Sequence, residues 1–271
     1  MKKLLTISLA LLLILSAFSL SSCKTTYEVS TEDIPAAPTE EATDEASERE
    51  TEIPEEDTVK NFMIFGDSYS TFEGTMPEGF IPFYYKNGRP ETNVTKVEET
   101  WWYQTMEETG MNLVQNNSWS GSAIGYRGHN NADTSSTHSF IFRLRNLIKD
   151  GFFEENKIDT VFLFGGTNDS WVNPNLGEIK FDDFAEEDFY SVLPAICYFS
   201  KLLRETLPDA EIYCLINTGL KSEIVDCFEV VSEKYGFTAV TFDKIEKMTD
   251  HPTINGMKQI SDRILSIMGD K

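Results

Sequence analysis

The sequence has few basic residues, few cysteines and only one long apolar segment, and each shortage excludes a class of protein. Its 23 basic residues face 45 acidic ones in 271, a formal net charge of −22. Nucleic-acid binding is disfavoured, because that affinity comes from clustered lysine and arginine. Four cysteines are too few for a disulfide scaffold. An apolar content of 40% suits neither a polytopic membrane protein nor a disordered chain, which leaves one ordinary domain with an acidic segment.

Residues 1–23 have the layout of an export signal. Two lysines precede an apolar stretch from Leu4 to about Leu20, and the segment ends in Leu-Ser-Ser-Cys, which resembles a bacterial lipobox. A transmembrane anchor is the alternative, but roughly 17 residues are at the short limit for spanning a bilayer. We therefore expect an exported lipoprotein, anchored to a bacterial membrane or cell surface through acyl chains on Cys23 and touching the membrane only there.

The composition changes after Cys23. Residues 24–60 contain 13 acidic and three basic residues and almost no large apolar side chain. Such a segment cannot bury enough apolar surface to offset the entropy of ordering, so we expect residues 24–58 to be a disordered, extended linker. An acidic interaction tail is the alternative.

Residues 59–271 alternate between short apolar runs and helical patterns, which predicts one α/β domain. Near-continuous apolar runs suit parallel strands covered on both faces, and five of them occur, at 59–65, 111–116, 159–165, 211–217 and 237–242. Helical patterns occur at 98–109, 138–149, 182–206, 221–234 and 253–268. This alternation favours a five-stranded parallel sheet with helices on both sides, whose ligands bind beyond the carboxyl ends of the strands.

Polar motifs follow three of these strands. Ser68 lies in Gly-Asp-Ser after the first strand, Asn168 lies in Gly-Gly-Thr-Asn-Asp after the third, and His251 follows the fifth. Each motif alone has the composition of an ordinary turn. Together at one edge they supply a nucleophile, a base and an amide donor, which is what acyl transfer requires.

These motifs and their order resemble those of the SGNH/GDSL hydrolases over nearly all of residues 59–268. The resemblance implies a flavodoxin-like three-layer α/β/α sandwich, with Ser68 as nucleophile and His251 as base. It implies an oxyanion hole made of the Ser68 and Gly121 backbone N–H groups and the Asn168 amide. It implies neither a metal nor another cofactor.

The sequence departs from the family pattern at the acid that orients the histidine. The family's aspartate lies three residues before the histidine, where this chain has Met248. Asp250 and Glu246 are the nearest acidic candidates, and Asp243 lies further upstream. Alternatively a backbone carbonyl orients the ring and the site is a Ser–His dyad.

The substrate expected from the resemblance and the export signal is a small acyl ester, such as an acetyl ester, on an extracellular carbohydrate. Trp119, Asp169 and Trp171 flank the motifs and are candidates for the substrate pocket, although ordinary packing is at least as common for tryptophan. An acyltransferase using the same site and a non-catalytic ligand-binding lipoprotein are the alternatives. Oligomeric state cannot be predicted.

The remaining cysteines are Cys197, Cys214 and Cys227, each within an apolar run. We expect buried free thiols, with one disulfide and one spare thiol as the alternative. Their spacing does not suggest a zinc site.

Overall fold

The computed structural model describes residues 59–172 and 175–269. The predicted signal, the predicted lipidation site at Cys23 and the predicted acidic linker lie outside the described residues. Five parallel strands form one sheet in the order β2-β1-β3-β4-β5. The strands are β1 (Asn61–Gly66), β2 (Asn112–Ser118), β3 (Thr160–Phe164), β4 (Glu211–Ile216) and β5 (Thr238–Thr241).

Helices cover both faces of this sheet. They are α1 (Trp101–Thr109), α2 (Phe140–Lys149), α3 (Phe152–Glu155), α4 (Thr167–Trp171), α5 (Val192–Thr206), α6 (Ser222–Tyr235) and α7 (Ile254–Gly269). Helices α1 and α7 pack on one face, and α2, α5 and α6 pack on the other. The predicted fold class, a three-layer α/β/α sandwich with a five-stranded parallel sheet, is confirmed.

Strand β1 shows why the apolar runs are continuous. Phe62 and Ile64 pack into the core under α1 and α7, whereas Met63 and Phe65 pack into the core under α2, α5 and α6. All four side chains are 1% exposed or less. Because successive strand residues point to opposite faces, a sheet covered on both sides needs apolar residues at every position.

The strand order places a cleft at the end of β1. The chain crosses from β1 to β2 on one side and reaches β3 on the other, so the connections diverge above the middle of the sheet. Such a switch point opens a crevice at the carboxyl ends of the strands. The motifs around Ser68 and Asn168 follow β1 and β3 and therefore lie at this crevice.

A short hairpin precedes the last helix. Strands β6 (Lys247–Met248) and β7 (His251–Pro252) pair antiparallel around a two-residue turn. The sequence shows no sign of it, because two-residue strands carry no periodicity. It brings His251 back toward the end of β1.

The three cysteines among the described residues are buried free thiols, as expected. Cys197 Sγ and Cys227 Sγ are 3.8 Å apart between α5 and α6. In this part of the chain no helix is long and apolar enough to cross a membrane.

Candidate active site

Ser68 lies on a tight turn directly after β1. Asp67 begins this turn, and its Oδ1 accepts a hydrogen bond from the Tyr69 N–H at 3.0 Å. A 3-10 turn, Ser68–Ser70, follows, and Ser68 is only 3% exposed. The serine hydroxyl is therefore held at the floor of the cleft by backbone geometry.

His251 faces this serine from the β6–β7 hairpin. Its Nε2 lies 2.9 Å from Ser68 Oγ, which is hydrogen-bond distance. The hydroxyl of Tyr69 also bonds the carbonyl oxygen of Asp250 at 2.5 Å. Tyr69, next to the serine, and Asp250, next to the histidine, are thus hydrogen-bonded to each other as well.

Asn168 reaches the same cleft from α4, which begins after Gly166 in the left-handed conformation with φ +85°. One N–H of the Asn168 amide donates to the carbonyl of Ser122 at 2.9 Å. A primary amide has two N–H donors, so the bond fixes the orientation of the amide and leaves the second donor for a ligand.

Gly121 supplies a backbone donor beside them. Its φ of +81° belongs to the left-handed region, which residues with a Cβ adopt only under strain. A Cβ at Gly121 would meet only the His129 Cβ at 3.7 Å, so conformation rather than space requires glycine. Within the described residues, the backbone N–H groups of Gly121 and Ser68 have no acceptor. The cleft that Ser68, Gly121, Asn168 and His251 line together has a volume of about 210 Å³.

Arg143, on α2, fastens the loops behind this cleft. It is 3% exposed, and it donates to the carbonyls of Gly66 and His138 and to the side chains of Asn117 and Ser122 at 2.6 to 3.1 Å. Its burial lowers the pKa of the guanidinium to about 9, although the nearby Asp67 acts in the opposite direction. One cation therefore joins the ends of β1 and β2 to the loop that follows Gly121.

Burial also makes His251 a weak base. Desolvation, together with the positive charges of Arg89 and Lys247 and against the opposing effect of Glu91, lowers the pKa of the imidazole to about 4. The ring is therefore neutral at pH 7, the protonation state in which its Nε2 can accept the Ser68 proton.

No orienting carboxylate bonds the His251 ring within the described ranges. Both carboxylate oxygens of Glu246 are used elsewhere, accepting from Thr253 Oγ1 at 2.6 Å and from Asn255 Nδ2 at 2.9 Å. The Asp250 side chain is exposed, and Met248 lies opposite His251 in the hairpin. The sequence left a triad and a dyad open; among the described residues the His251 ring bonds Ser68 and no carboxylate.

The three candidates for the substrate pocket lie in different surroundings. Trp171 lines the cleft, is 44% exposed and has its ring 6.1 Å from that of His251. Trp119 lies outside the cleft lining, stacked on His138. Asp169 also lies outside it, 1% exposed, and accepts from the N–H groups of Ile124 and Gly125. Burial raises the pKa of this carboxyl to about 6, and its contacts support the loop rather than a ligand.

The comparisons with known proteins agree with this geometry. The sequence matches the GDSL-like lipase/acylhydrolase family over residues 60–268. The chain belongs to this family. The GDSL-like chain is therefore a serine hydrolase by family, as its motifs imply. No curated protein matches it.

Solved structures support the assignment. A protein from Bacteroides ovatus described as a GDSL-like lipase is 37% identical, and the match covers 79% of this chain and 100% of that one with a TM-score of 0.73. One from Bacteroides uniformis with the same description is 36% identical, covering 79% and 98%, also with a TM-score of 0.73. A family two carbohydrate esterase from Clostridium thermocellum shares only the fold, at 15% identity, 78% and 64% coverage and a TM-score of 0.51.

Sequence reasoning missed the part of the GDSL-like site contributed by the segment between β1 and α1. Phe83 and Arg89 line the cleft, as do Ser120 and His129 from the loop after β2. The segment has no periodicity or motif that marks these positions, so only the folded arrangement reveals them. Among the residues that the structure describes, no cluster of three or more His, Cys, Asp or Glu side chains could hold a metal ion.

Proposed function

We propose that this chain is a serine esterase that removes small acyl groups, such as acetyl, from carbohydrate esters. The observation that carries the proposal is the 2.9 Å approach of His251 Nε2 to Ser68 Oγ in a cleft that Gly121 and Asn168 also line. A nucleophile, a neutral base and convergent N–H donors are the components of acyl transfer.

The reaction begins with the Ser68 hydroxyl. His251 Nε2 takes its proton while Oγ attacks the ester carbonyl carbon, which forms a tetrahedral intermediate. Collapse of the intermediate breaks the ester bond, and the imidazolium returns the proton to the departing alcohol. Water deprotonated by His251 then attacks the acyl-serine and releases the acid.

The negative oxygen of the intermediate faces three N–H donors. These are the backbone N–H groups of Ser68 and Gly121, which have no acceptor within the described ranges, and the second N–H of the Asn168 amide. Each such donor contributes roughly 3 to 4 kcal/mol of transition-state stabilisation. Replacing Asn168 by alanine should therefore lower kcat by about 100- to 1000-fold.

The cleft supports a small acyl group. Its volume of about 210 Å³ must hold the reacting ester as well, and Phe83 and Trp171 restrict its sides. The exposed Trp171 offers a flat apolar face at the rim, where a sugar ring could stack. The fold relative from Clostridium thermocellum was crystallised with cellohexaose, which supports testing acetylated saccharides first.

The test is hydrolysis of p-nitrophenyl acetate and of an acetylated oligosaccharide by residues 59–271, beside Ser68→Ala. We expect turnover by the wild type and a loss of at least 1000-fold in the variant, because the nucleophile is gone. A fluorophosphonate should label the wild type on Ser68 only. Equal rates for the two proteins would refute the serine assignment.

The two alternatives give different results in the same assay. Acetyl groups appearing on an added sugar instead of as acetate would indicate an acyltransferase. Saturable binding of the saccharide without turnover would indicate a ligand-binding protein.

We also propose that Cys23 carries the lipid that anchors the chain outside the cell. The basis is the lipobox-like Leu-Ser-Ser-Cys after an apolar stretch. Expression of the full chain should give a membrane-bound protein. The Cys23→Ala variant should either keep its signal segment or appear in the soluble fraction. The proposal would be contradicted if the wild type and the variant fractionated equally with the membrane and the wild-type Cys23 carried no lipid.

A further inference from the structure

The His251 ring is held in place without a carboxylate. Only its Nε2 makes a hydrogen bond within the part of the chain that the structure describes, and that bond goes to Ser68. A ring with one hydrogen bond can rotate about its Cβ–Cγ axis unless its faces are restrained. The restraint must therefore come from packing.

Phe83 provides that packing. Its ring lies against the His251 ring with centroids 3.4 Å apart and an interplanar angle of 7°. The contact is a parallel stack that blocks rotation of the imidazole out of its plane. Phe83 is only 6% exposed, so the ring has little room to move away.

Phe83 is itself held from two sides. Its N–H donates to Thr71 Oγ1 at 2.8 Å, and its carbonyl accepts from Arg89 Nη1 at 3.2 Å. The Arg89 guanidinium carbon lies 4.1 Å from the Phe83 ring centroid, and Arg89 Nε donates to Glu91 at 2.9 Å. The ion pair thus holds a cation over the phenylalanine ring.

The same segment also fixes the backbone beyond the histidine. Tyr84 Oη and Thr92 Oγ1 both donate to the carbonyl of Pro252 at 3.3 Å. Asn93 Oδ1 accepts from the N–H of Ile254 at 2.8 Å. Residues 83–93 therefore restrain both the ring of His251 and the chain that carries it.

We propose that Phe83 is a positioning residue that replaces the orienting acid of the triad. By stacking, it fixes the imidazole plane so that Nε2 faces Ser68 Oγ. A phenyl ring cannot accept the proton of Nδ1 or neutralise an imidazolium, so this arrangement preserves geometry without raising basicity. The inference rests on the proposed function, in which His251 is the base.

The experiment compares Phe83→Leu and Phe83→Met with the wild type. Both replacements are apolar and fill much of the space of the phenyl ring, but neither is flat. Two variants are used in case one of them does not fold. We expect kcat for p-nitrophenyl acetate to fall about 10- to 100-fold, a larger factor than any change in KM that the altered cleft wall causes, because misplacing a catalytic group has costs of that order. The loss should persist from pH 8 to 9, where His251 stays neutral even if the smaller side chain exposes the ring and raises its pKa.

Two matched variants separate positioning from general damage. Phe83→Tyr keeps a flat ring and should recover most of the lost kcat. Phe72→Leu removes another fully buried phenyl ring, also from the stretch between β1 and α1, that does not stack on His251. This change should lower stability more than kcat. Equal kcat in folded Phe83→Leu and wild type, or equal kcat losses in the Phe72 and Phe83 variants, would overturn the proposal.

A carboxylate at residue 248 provides a rescue. Met248 pairs directly with His251 across the hairpin. Adding Met248→Asp to Phe83→Leu should restore kcat, whereas the uncharged Met248→Asn should not. Recovery with asparagine would contradict the proposed role of the acid.

Nuclear magnetic resonance of His251 separates this inference from the proposed function. In the wild type the ring protons should be sharp and shifted upfield by the Phe83 ring, and in Phe83→Leu they should broaden as the imidazole reorients. Unchanged line widths and shifts would refute the positioning role even if the protein hydrolyses no ester. Absence of Ser68-dependent hydrolysis with the expected spectral change would refute the function alone.

Discussion

The charge state of His251 is the residue property with the most direct kinetic consequence. Its pKa lies near 4 because the ring is buried and because Arg89 and Lys247 face it, with Glu91 acting in the opposite direction. Asp250, next in the chain, has an exposed side chain. An ordinary histidine would be half protonated near pH 6.5.

The pH profile of kcat/KM should show this shift. Only neutral His251 can accept the serine proton, so activity should hold from pH 8 down to about 5 and fall near pH 4. Arg89→Gln removes a charge that opposes the imidazolium, so the acidic limb should move to higher pH. Hydrolysis of phenyl acetate, followed by the ultraviolet absorbance of the released phenol, measures both profiles.

A charge removed elsewhere provides the control for this profile. Lys180→Gln removes a cation that pairs with Asp188 and does not line the cleft, so it should leave the limb unchanged. A wild-type limb near pH 6.5, or equal shifts in the two variants, would contradict the explanation.

The sequence locates Ser68, Asn168 and His251 well because each follows a strand, and parallel strands end at one edge. It does not locate Phe83 or Arg89. Their contacts depend on how residues 71–96 fold over the hairpin, and stacking leaves no spacing that can be recognised in one sequence. The acid at residue 248 could be seen to be absent, but not what takes its place.

At the scale of elements, the β6–β7 hairpin carries a strained turn. Thr249 has φ +54°, an unusual conformation for a β-branched residue. Asparagine adopts this region much more readily. Thr249→Asn should therefore raise the free energy of unfolding by about 1 kcal/mol, measured by urea denaturation. Thr249→Val, which keeps the branch, should give no gain; equal effects of the two changes would show that the turn is not strained.

Helix α2 connects the site to the sheet through Arg143. Arg143→Met leaves buried carbonyl and side-chain acceptors without a donor, so we expect a loss of about 3 to 5 kcal/mol in unfolding free energy. Arg145→Met is the comparison on the same helix, because Arg145 is partly exposed and its partners are the exposed Glu186 and the hydroxyls of Tyr126 and Tyr198. That change should cost less, about 1 to 2 kcal/mol, because water can replace these contacts. Similar losses in the two variants would contradict the role of the buried contacts.

The strands of the five-stranded sheet and the long helices were predictable from the sequence, whereas helix α4 and the β6–β7 hairpin were not. The five strands and four of the five predicted helices appear near their predicted places because a sheet covered on both faces requires apolar runs and its covering helices require amphipathic periods. The helix predicted at 182–206 is wrong at its start, because α5 begins at Val192 and a 3-10 turn at Glu186–Tyr190 precedes it. Helix α4 and the hairpin are too short to show either pattern. They nevertheless carry Asn168 and His251, so the local structure of the site could not be read from periodicity.

At the scale of the whole molecule, the negative charge selects among substrates. Between residues 61 and 271 there are 32 acidic and 18 basic residues, so the domain repels polyanions even without the linker. Rates on an acetylated neutral glucan should change little with salt. Rates on an acetylated polyuronate should be lower at 20 mM NaCl and rise toward 300 mM as repulsion is screened.

The acetylated monosaccharides that correspond to the two polymers provide the control for this comparison. They share the reacting group and lack the polymer's charge, so their rates should respond weakly to salt in both series. A polyuronate rate that falls as salt rises would show an attractive site for anions and contradict this prediction.

The proposed catalytic pair, Ser68 and His251, joins residues that lie 183 positions apart in the chain. Ser68 is made early and is placed by β1, but its partner is delivered by a hairpin that follows the last strand of the sheet. While β2 to β5 are synthesised, Ser68 therefore has no histidine partner. If His251 is the base, activity can appear only when the segment around His251 has emerged and docked, so the enzyme stays inactive throughout most of its own synthesis.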